Sequence, residues 1–183
     1  MKALLVIDYS NDFVAPEGVL TAGQAAQALA KPISQLMKQF IAAGELVIVA
    51  NDTHEKKDVK HPEYPLFPPH NIRGTWGQEL YGEVKTTFDA LCQHDHCLYT
   101  PKRRYSAFEG TNIPLWLQEQ EVREVWLVGV ATDICILHTA IGAFNRGYPL
   151  VIPTNGVASF NARGHAWALE HFKNALGAQL VQI

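Results

Sequence analysis

The sequence predicts an α/β protein in three layers: a mostly parallel, six-stranded sheet with helices on both faces. Three observations lead there. Short apolar runs alternate with helix-period segments along the whole chain, the pattern of repeated strand–helix units. The runs Ala3-Leu4-Leu5-Val6-Ile7 and 46–50 are apolar throughout, as strands covered on both faces must be. The run 125–130 passes through a tight turn into a segment where Ile134, Leu137, Ile141 and Phe144 recur at helical spacing.

In order, the first strand ends at Asp8, and Asn11, Asp12 and Pro16 follow in a loop. Residues 24–43 are rich in Ala, Gln and Leu. Pro32 divides them into a short first turn and a main helix from Lys31 onward. Ile33, Leu36, Met37 and Phe40 form its apolar face, and Gly44 ends it. The second strand, 46–50, runs into Asn51-Asp52-Thr53-His54. Residues 55–77 are dense in Pro, His and Gly, a long irregular segment of the kind that usually carries function. A helix is expected over 78–91, and Cys97-Leu98-Tyr99-Thr100 is the third strand. Residues 113–121 form a short helix with Thr111 or Asn112 as cap and Pro114 in its first turn. The fourth strand is 125–130, and Asn145-Arg146-Gly147 closes the helix after it. Residues 149–152 are the fifth strand. Asn161 starts a last helix with Trp167, Leu169, Phe172 and Leu176 inward, Gly177 ends it, and 179–183 is the sixth strand. No repeat or linker interrupts the pattern, so 1–183 reads as a single domain.

Composition narrows the function. Hydrophobic residues make up 48% and charged ones 18%, an ordinary globular balance. The net charge is −3, and no basic tract is longer than Lys102-Arg103-Arg104, so no nucleic-acid or membrane partner is expected. Residues 3–7 are too short for a signal-peptide core, and the expected location is the cytoplasm. Cys92, Cys97 and Cys135 do not suggest a disulfide framework. Neither a GxGxxG loop nor a Walker motif is present, which weakens nucleotide-cofactor readings. The sequence leaves a homo-oligomer open.

In a parallel sheet the carboxyl ends of the strands share one rim, which brings Asp8, Lys102 and Cys135 together. Cys135 falls in the first turn of its helix, capped by Thr132 or Asp133, near free N–H groups and the positive end of the dipole. A thiol there is expected to ionise below its free value of roughly 8.5. A carboxylate to take the thiol proton, a cation, and a sulfur to attack a carbonyl are what acyl transfer requires. Each residue alone has a plainer reading: a turn cap for Asp8, a solvated basic run for Lys102, a buried structural cysteine for Cys135.

Asp52 and His54 alternate on an extended segment, so their side chains can point the same way. With His70 they offer one oxygen and two nitrogens, suited to Zn²⁺, Mn²⁺ or Fe²⁺, and Glu63 or His61 could add a fourth ligand. The competing reading is scattered histidines in a polar loop. The run Cys92-Gln93-His94-Asp95-His96-Cys97 is more conspicuous, but it precedes a strand at its amino end, away from the rim, and is not expected to bind metal.

Four segments taken together carry a family resemblance. They are Val6-Ile7-Asp8 with Asn11-Asp12-Phe13; Asn51-Asp52-Thr53-His54; Lys102 before Tyr105-Ser106-Ala107-Phe108; and Gly129-Val130-Ala131-Thr132-Asp133-Ile134-Cys135. They resemble the opening strand, metal motif, lysine motif and nucleophile elbow of nicotinamidases in the isochorismatase-like cysteine hydrolase family. The likeness covers nearly the whole chain. It implies the isochorismatase-like, Rossmann-like fold and a catalytic triad on Asp8, Lys102 and Cys135. It implies one divalent metal ion, Zn²⁺ with Mn²⁺ or Fe²⁺ as alternatives, on Asp52, His54 and His70. The subgroup this chain is similar to adds a glutamate, here Glu63, with His61 the alternative. It also implies a cis peptide at Val130-Ala131, and the N–H groups of Ala131 and Cys135 would form an oxyanion hole. The implied substrate is a small-molecule amide: nicotinamide or pyrazinamide, hydrolysed through a Cys135 thioester in NAD salvage. Phe13, Phe67 and Tyr105 are candidates for walls around the ring. Two readings compete. One is a metal-independent amidase of the same family acting on a carbamoyl or aliphatic amide, against which the metal set argues. The other is a non-enzymatic binding module, whose structural metal would be closed by protein ligands at every position.

Overall fold

The computed structural model describes all 183 residues. Its strands are β1 (Lys2–Ile7), β2 (Leu46–Asp52), β3 (Cys97–Lys102), β4 (Glu124–Val130), β5 (Leu150–Pro153), β6 (Val157–Ala158) and β7 (Gln179–Val181). They pair in parallel in the order β3-β2-β1-β4-β5-β7, with β6 alongside β4. The helices are α1 (Asn11–Val14), α2 (Gly23–Gln27), α3 (Ala30–Ala42), α4 (Gly82–Leu91), α5 (Ile113–Glu119), α6 (Leu137–Phe144) and α7 (Ala162–Ala175). The sheet therefore has seven strands where the sequence predicts six. The extra one, β6, is two residues long, too short to leave a periodicity.

The central strand β1 shows why the layers form. Its side chains alternate between two cores. Leu4 and Val6 pack with Ile33, Leu36, Met37 and Phe40 of α3 and Val84 of α4. Ala3, Leu5 and Ile7 pack with Ile113 and Leu117 of α5, Ala140 of α6 and Phe172 of α7. These five β1 residues are fully buried, and each large one contributes roughly 1.5–3 kcal/mol of burial.

Several expectations shift by a turn. The helix expected from residue 78 begins at Gly82, because a 3₁₀ turn (Trp76–Gln78) comes first and Leu80 bridges to Ser10. Phe144 is exposed, and Ile136, Ala140 and Ala143 face the core instead. Trp167 is also exposed and stacks on His171, while Ala168 and Phe172 form the inward stripe of α7. In both helices small alanines take the tight positions against the sheet, and the large side chain expected inside is displaced outward. No helix is long and apolar enough to cross a membrane.

β3 is an edge strand and contains Pro101. The carbonyls of His96 and Lys102 accept from Val47 and Thr53 of the β2 side at 2.8 and 2.9 Å. On the other flank of β1, Gly129 of β4 adopts φ 116°, and a Cβ there would lie 2.0 Å from the Ile7 carbonyl oxygen. Only glycine fits both the conformation and the gap. Gly129→Ala is expected to destabilise the fold by about 3 kcal/mol or more. Urea denaturation measures this; a midpoint equal to wild type would show that β1 and β4 can separate freely.

Candidate active site

Neighbouring strand ends deliver the charged groups. The register pairs Asp52 with Lys102, and Ile7 with both Ala50 and Gly129. Asp8, Asp52, Lys102 and the turn after Val130 therefore emerge side by side. Asp8 turns out of β1 at φ 54°, anchored by its N–H to the Ala50 carbonyl at 3.0 Å. Asp8 Oδ1 accepts from the Asp52 N–H at 2.7 Å. Lys102 Nζ lies 2.8 Å from Asp8 Oδ2 and 3.7 Å from Asp52 Oδ1. It donates to the Arg104 carbonyl at 3.0 Å and to Cys135 Sγ at 3.6 Å. All four residues are buried.

Burial works against charge on Lys102, but Asp8, Cys135 and Asp52 around it hold the ammonium well above its ordinary pKa. Burial raises Asp8 to about 6, against the pull of Lys102 and with a further push from Asp52. Burial also opposes charge on Asp52, yet Lys102, His54 and His70 keep it well below the usual carboxylate range. Burial and the Asp8 carboxylate lift the Cys135 thiol well above its usual value, and Lys102 offsets only part of this. That reverses the expectation of an acidic thiol.

The helix entry is also not the one expected. Thr132–Ile136 form a π-helical turn ahead of α6, with Ala131 in the cap position and no side-chain cap. Thr132 Oγ1 instead pairs with His165 Nδ1 at 2.8 Å, and Asp133 Oδ1 accepts from Ser159 at 2.6 Å. The Asp8 carboxylate lies beside the Cys135 thiol. The Val130–Ala131 peptide is cis, and the Ala131 N–H has no backbone acceptor.

Asp52, His54, Glu63 and His70 are buried together, with one ligand atom from each lying within 4.8 Å of all the others. His70 Nδ1 donates to the Pro68 carbonyl at 2.8 Å, which fixes the tautomer and leaves Nε2 for the cluster. Nε2 lies 3.4 Å from Asp52 Oδ2 and 3.7 Å from Glu63 Oε2, with no hydrogen bond satisfied. Asp52 Oδ1 is likewise without a hydrogen-bond donor. Burial opposes charge on His70, but the Asp52 and Glu63 carboxylates raise it to about 10. Two nitrogens and two carboxylates fit a borderline divalent ion. His61 is engaged elsewhere: its Nε2 meets the Arg103 carbonyl at 2.8 Å, and its Nδ1 accepts from the Glu63 N–H at 3.3 Å. The 92–97 run gathers no ligand group; Cys92 is exposed and Cys97 is buried at the start of β3.

A pocket of about 410 Å³, part of it open to solvent, reaches from Ala131 and Cys135 to Glu63 and His70. Phe13, Phe67 and Tyr105 line it. Leu20, Ala22, Ile134 and Phe160 line it too, and sequence reasoning missed them. Leu20 and Ala22 come from the loop after α1, and Phe160 from the turn after β6, where no local pattern marks a wall residue.

The isochorismatase domain pattern matches residues 2–182. The chain belongs to the isochorismatase family. Among its members the chain is similar to the nicotinamidase/pyrazinamidase of Bacillus subtilis. That crystal structure shares 49% identity, with 99% of each chain covered and a TM-score of 0.97. The pyrazinamidase/nicotinamidase of Streptococcus mutans shares 44% identity, over 99% of this chain and all of that one, with a TM-score of 0.96. The pyrazinamidase of Pyrococcus horikoshii, solved in complex with zinc, shares 25% identity over 100% and 99% of the two chains, with a TM-score of 0.85. The parallel sheet with helices on both faces is this family's fold.

The electrostatics generate a signed prediction. Removing the Asp8 charge removes a repulsion on the Cys135 thiolate, and removing the Lys102 charge removes an attraction. In a Cys92→Ser background, Asp8→Asn should lower the apparent thiol pKa and Lys102→Gln should raise it. The pH dependence of iodoacetamide alkylation reads both. Equal profiles in the two variants and the parent would detach Asp8 and Lys102 from the sulfur.

Proposed function

We propose that this isochorismatase-family protein is a nicotinamidase that hydrolyses nicotinamide, and pyrazinamide, to the acid and ammonia. The observation that carries the reading is one pocket lined by Cys135, with Lys102 and Asp8 buried behind it, and by Glu63 and His70 of the four-ligand group. The likeness to nicotinamidases and pyrazinamidases supports it. The same pocket speaks against a binding module with a closed structural metal, since Glu63 and His70 face the cavity.

In the proposed mechanism Asp8 takes the Cys135 proton as the sulfur adds to the carboxamide carbon. The carbonyl electrons move to oxygen, and the N–H groups of Ala131 and Cys135 hold that oxyanion. Lys102 stays protonated and balances the charge while the proton rests on Asp8. Asp8 then passes the proton to the amide nitrogen, the C–N bond breaks, and ammonia leaves a thioester. A water gives its proton to Asp8 as it attacks the thioester carbon, and the released thiolate recovers the proton. Phe13 and Tyr105 flank the ring, and Phe67 closes the side towards His70, 6.1 Å from it between ring centroids.

Asp52, His54, Glu63 and His70 would hold a divalent ion, zinc by analogy with the Pyrococcus horikoshii pyrazinamidase. Such an ion would supply a Lewis-acid position for the pyridine nitrogen and so orient the carboxamide towards Cys135. We read residues 1–183 as one domain, since one sheet spans them. The three free cysteines fit the reducing cytoplasm, where nicotinate feeds NAD salvage.

Cys135→Ala should fold and show no ammonia release from nicotinamide; near-native turnover would end the covalent mechanism. Benzamide keeps the shape and the amide but lacks the ring nitrogen. Specificity constants should favour nicotinamide over benzamide by on the order of 100-fold in the metal-loaded enzyme. Chelator treatment, or His54→Ala, should erase most of that preference. Equal constants for the two amides in loaded enzyme would leave the ion no part in orienting substrate.

A further inference from the structure

We propose that Asp12 is a positioning residue for the metal centre, acting through Asn71. It touches neither the four ligands nor the reacting atoms. The inference rests on reading Asp52, His54, Glu63 and His70 as a metal site.

The chain reverses sharply just after His70. Asn71 takes φ 44°, a conformation non-glycine residues rarely hold unaided, and it is fully buried. Three hydrogen bonds hold it there. Its N–H donates to Asp12 Oδ2 at 2.7 Å. Its side-chain Oδ1 accepts from the Ser10 hydroxyl at 2.8 Å. Its carbonyl accepts from the N–H of His54 at 3.0 Å, the first bond of a short parallel bridge that continues through Ile72. One residue thus fixes the backbone next to one histidine ligand and the backbone of the other.

Of these three partners only Asp12 brings a charge. Its carboxylate is buried, and the backbone of Gly77 lies flat on it: a Cβ on Gly77 would fall 2.1 Å from Oδ2. The bond to Asn71 is therefore charge-assisted in a largely buried, low-dielectric setting. The Asp12 main chain shapes the substrate pocket as well. Its carbonyl accepts from the Leu20 N–H at 2.9 Å, and the next residue, Phe13, packs on the His70 ring at 5.4 Å between centroids. Asp12 therefore joins the segment that carries Asp8 to the segment that carries His70.

Outer groups that orient metal ligands typically change affinity by about 10–100-fold when removed. The test compares wild type, Asp12→Ala, Asp12→Asn and a control, Ser34→Ala. The control breaks a buried 2.6 Å hydrogen bond to Thr87 between α3 and α4, remote from the cluster. Zinc dissociation constants come from chelator competition without substrate, and melting temperatures from the metal-free proteins. Asp12→Ala should weaken zinc by about 10-fold or more. Asp12→Asn, which keeps a neutral oxygen acceptor, should recover part of that loss. Ser34→Ala should melt lower and bind zinc as wild type does. Asp12→Asn also covers the case in which Asp12→Ala does not fold: wild-type zinc affinity in Asp12→Asn would then overturn the inference. Folded Asp12→Ala with wild-type affinity overturns it too, and leaves the metal site standing. So does a zinc loss in Ser34→Ala as large as in Asp12→Ala, which would make the effect general destabilisation. A wild-type protein that binds no zinc overturns the metal reading and this inference with it.

Discussion

One buried ammonium holds the centre of this protein together. Lys102 sits among two carboxylates and a thiol, with no solvent to screen them. Charges so placed interact far more strongly than they would in water, and removing one partner leaves an uncompensated buried charge. The sheet order β3-β2-β1-β4 is what assembles the set, because Lys102, Asp52, Asp8 and the Cys135 turn leave four neighbouring strands. Lys102 faces Asp8 and Asp52, and Glu63 adds a third carboxylate at the far side of Asp52. A divalent cation among Asp52, His54, Glu63 and His70 would bring the region towards neutrality. Asp52 thus belongs to both halves of the site: it restrains Lys102 on one side and offers an oxygen on the other.

The same charge balance explains the high thiol pKa. A cysteine at a helix start is often acidified by the helix dipole. Here the helix opens with a π-helical turn, and two carboxylates lie close to the sulfur. A resting thiol beside an ionised Asp8 keeps the proton available for both halves of the proposed reaction.

Much of this was legible in the sequence. Fully apolar strands announced a sheet covered on both faces, and a parallel sheet puts its strand ends on one rim. The shared rim of Asp8, Lys102 and Cys135 followed from strand boundaries, and the common direction of Asp52 and His54 from the two-residue period of an extended segment; their roles came only with the family resemblance. What was not legible depended on long-range contacts. Thr132 and Asp133 look like caps, but His165 and Ser159, far along the chain, take them. Phe160 reaches the pocket from a turn after a two-residue strand. Trp167 looked like core because a large apolar side chain at helical spacing usually is; the sheet surface accepted Ala168 instead. His61 and Glu63 both look like ligands in the sequence, and contacts of His61 with the Arg103 carbonyl and the Glu63 N–H separate them.

Pro101 has a consequence beyond the chemistry. In a parallel strand alternate residues point their backbone groups to opposite sides. The carbonyls of His96 and Lys102 face β2, so residues 97, 99 and 101 face away from the sheet. At the last of these the outward N–H is missing, because the residue is proline. A foreign strand docking on this border would lose a rung at the residue next to Lys102. The border of the sheet that carries the buried charge is thereby made a poor template for self-association.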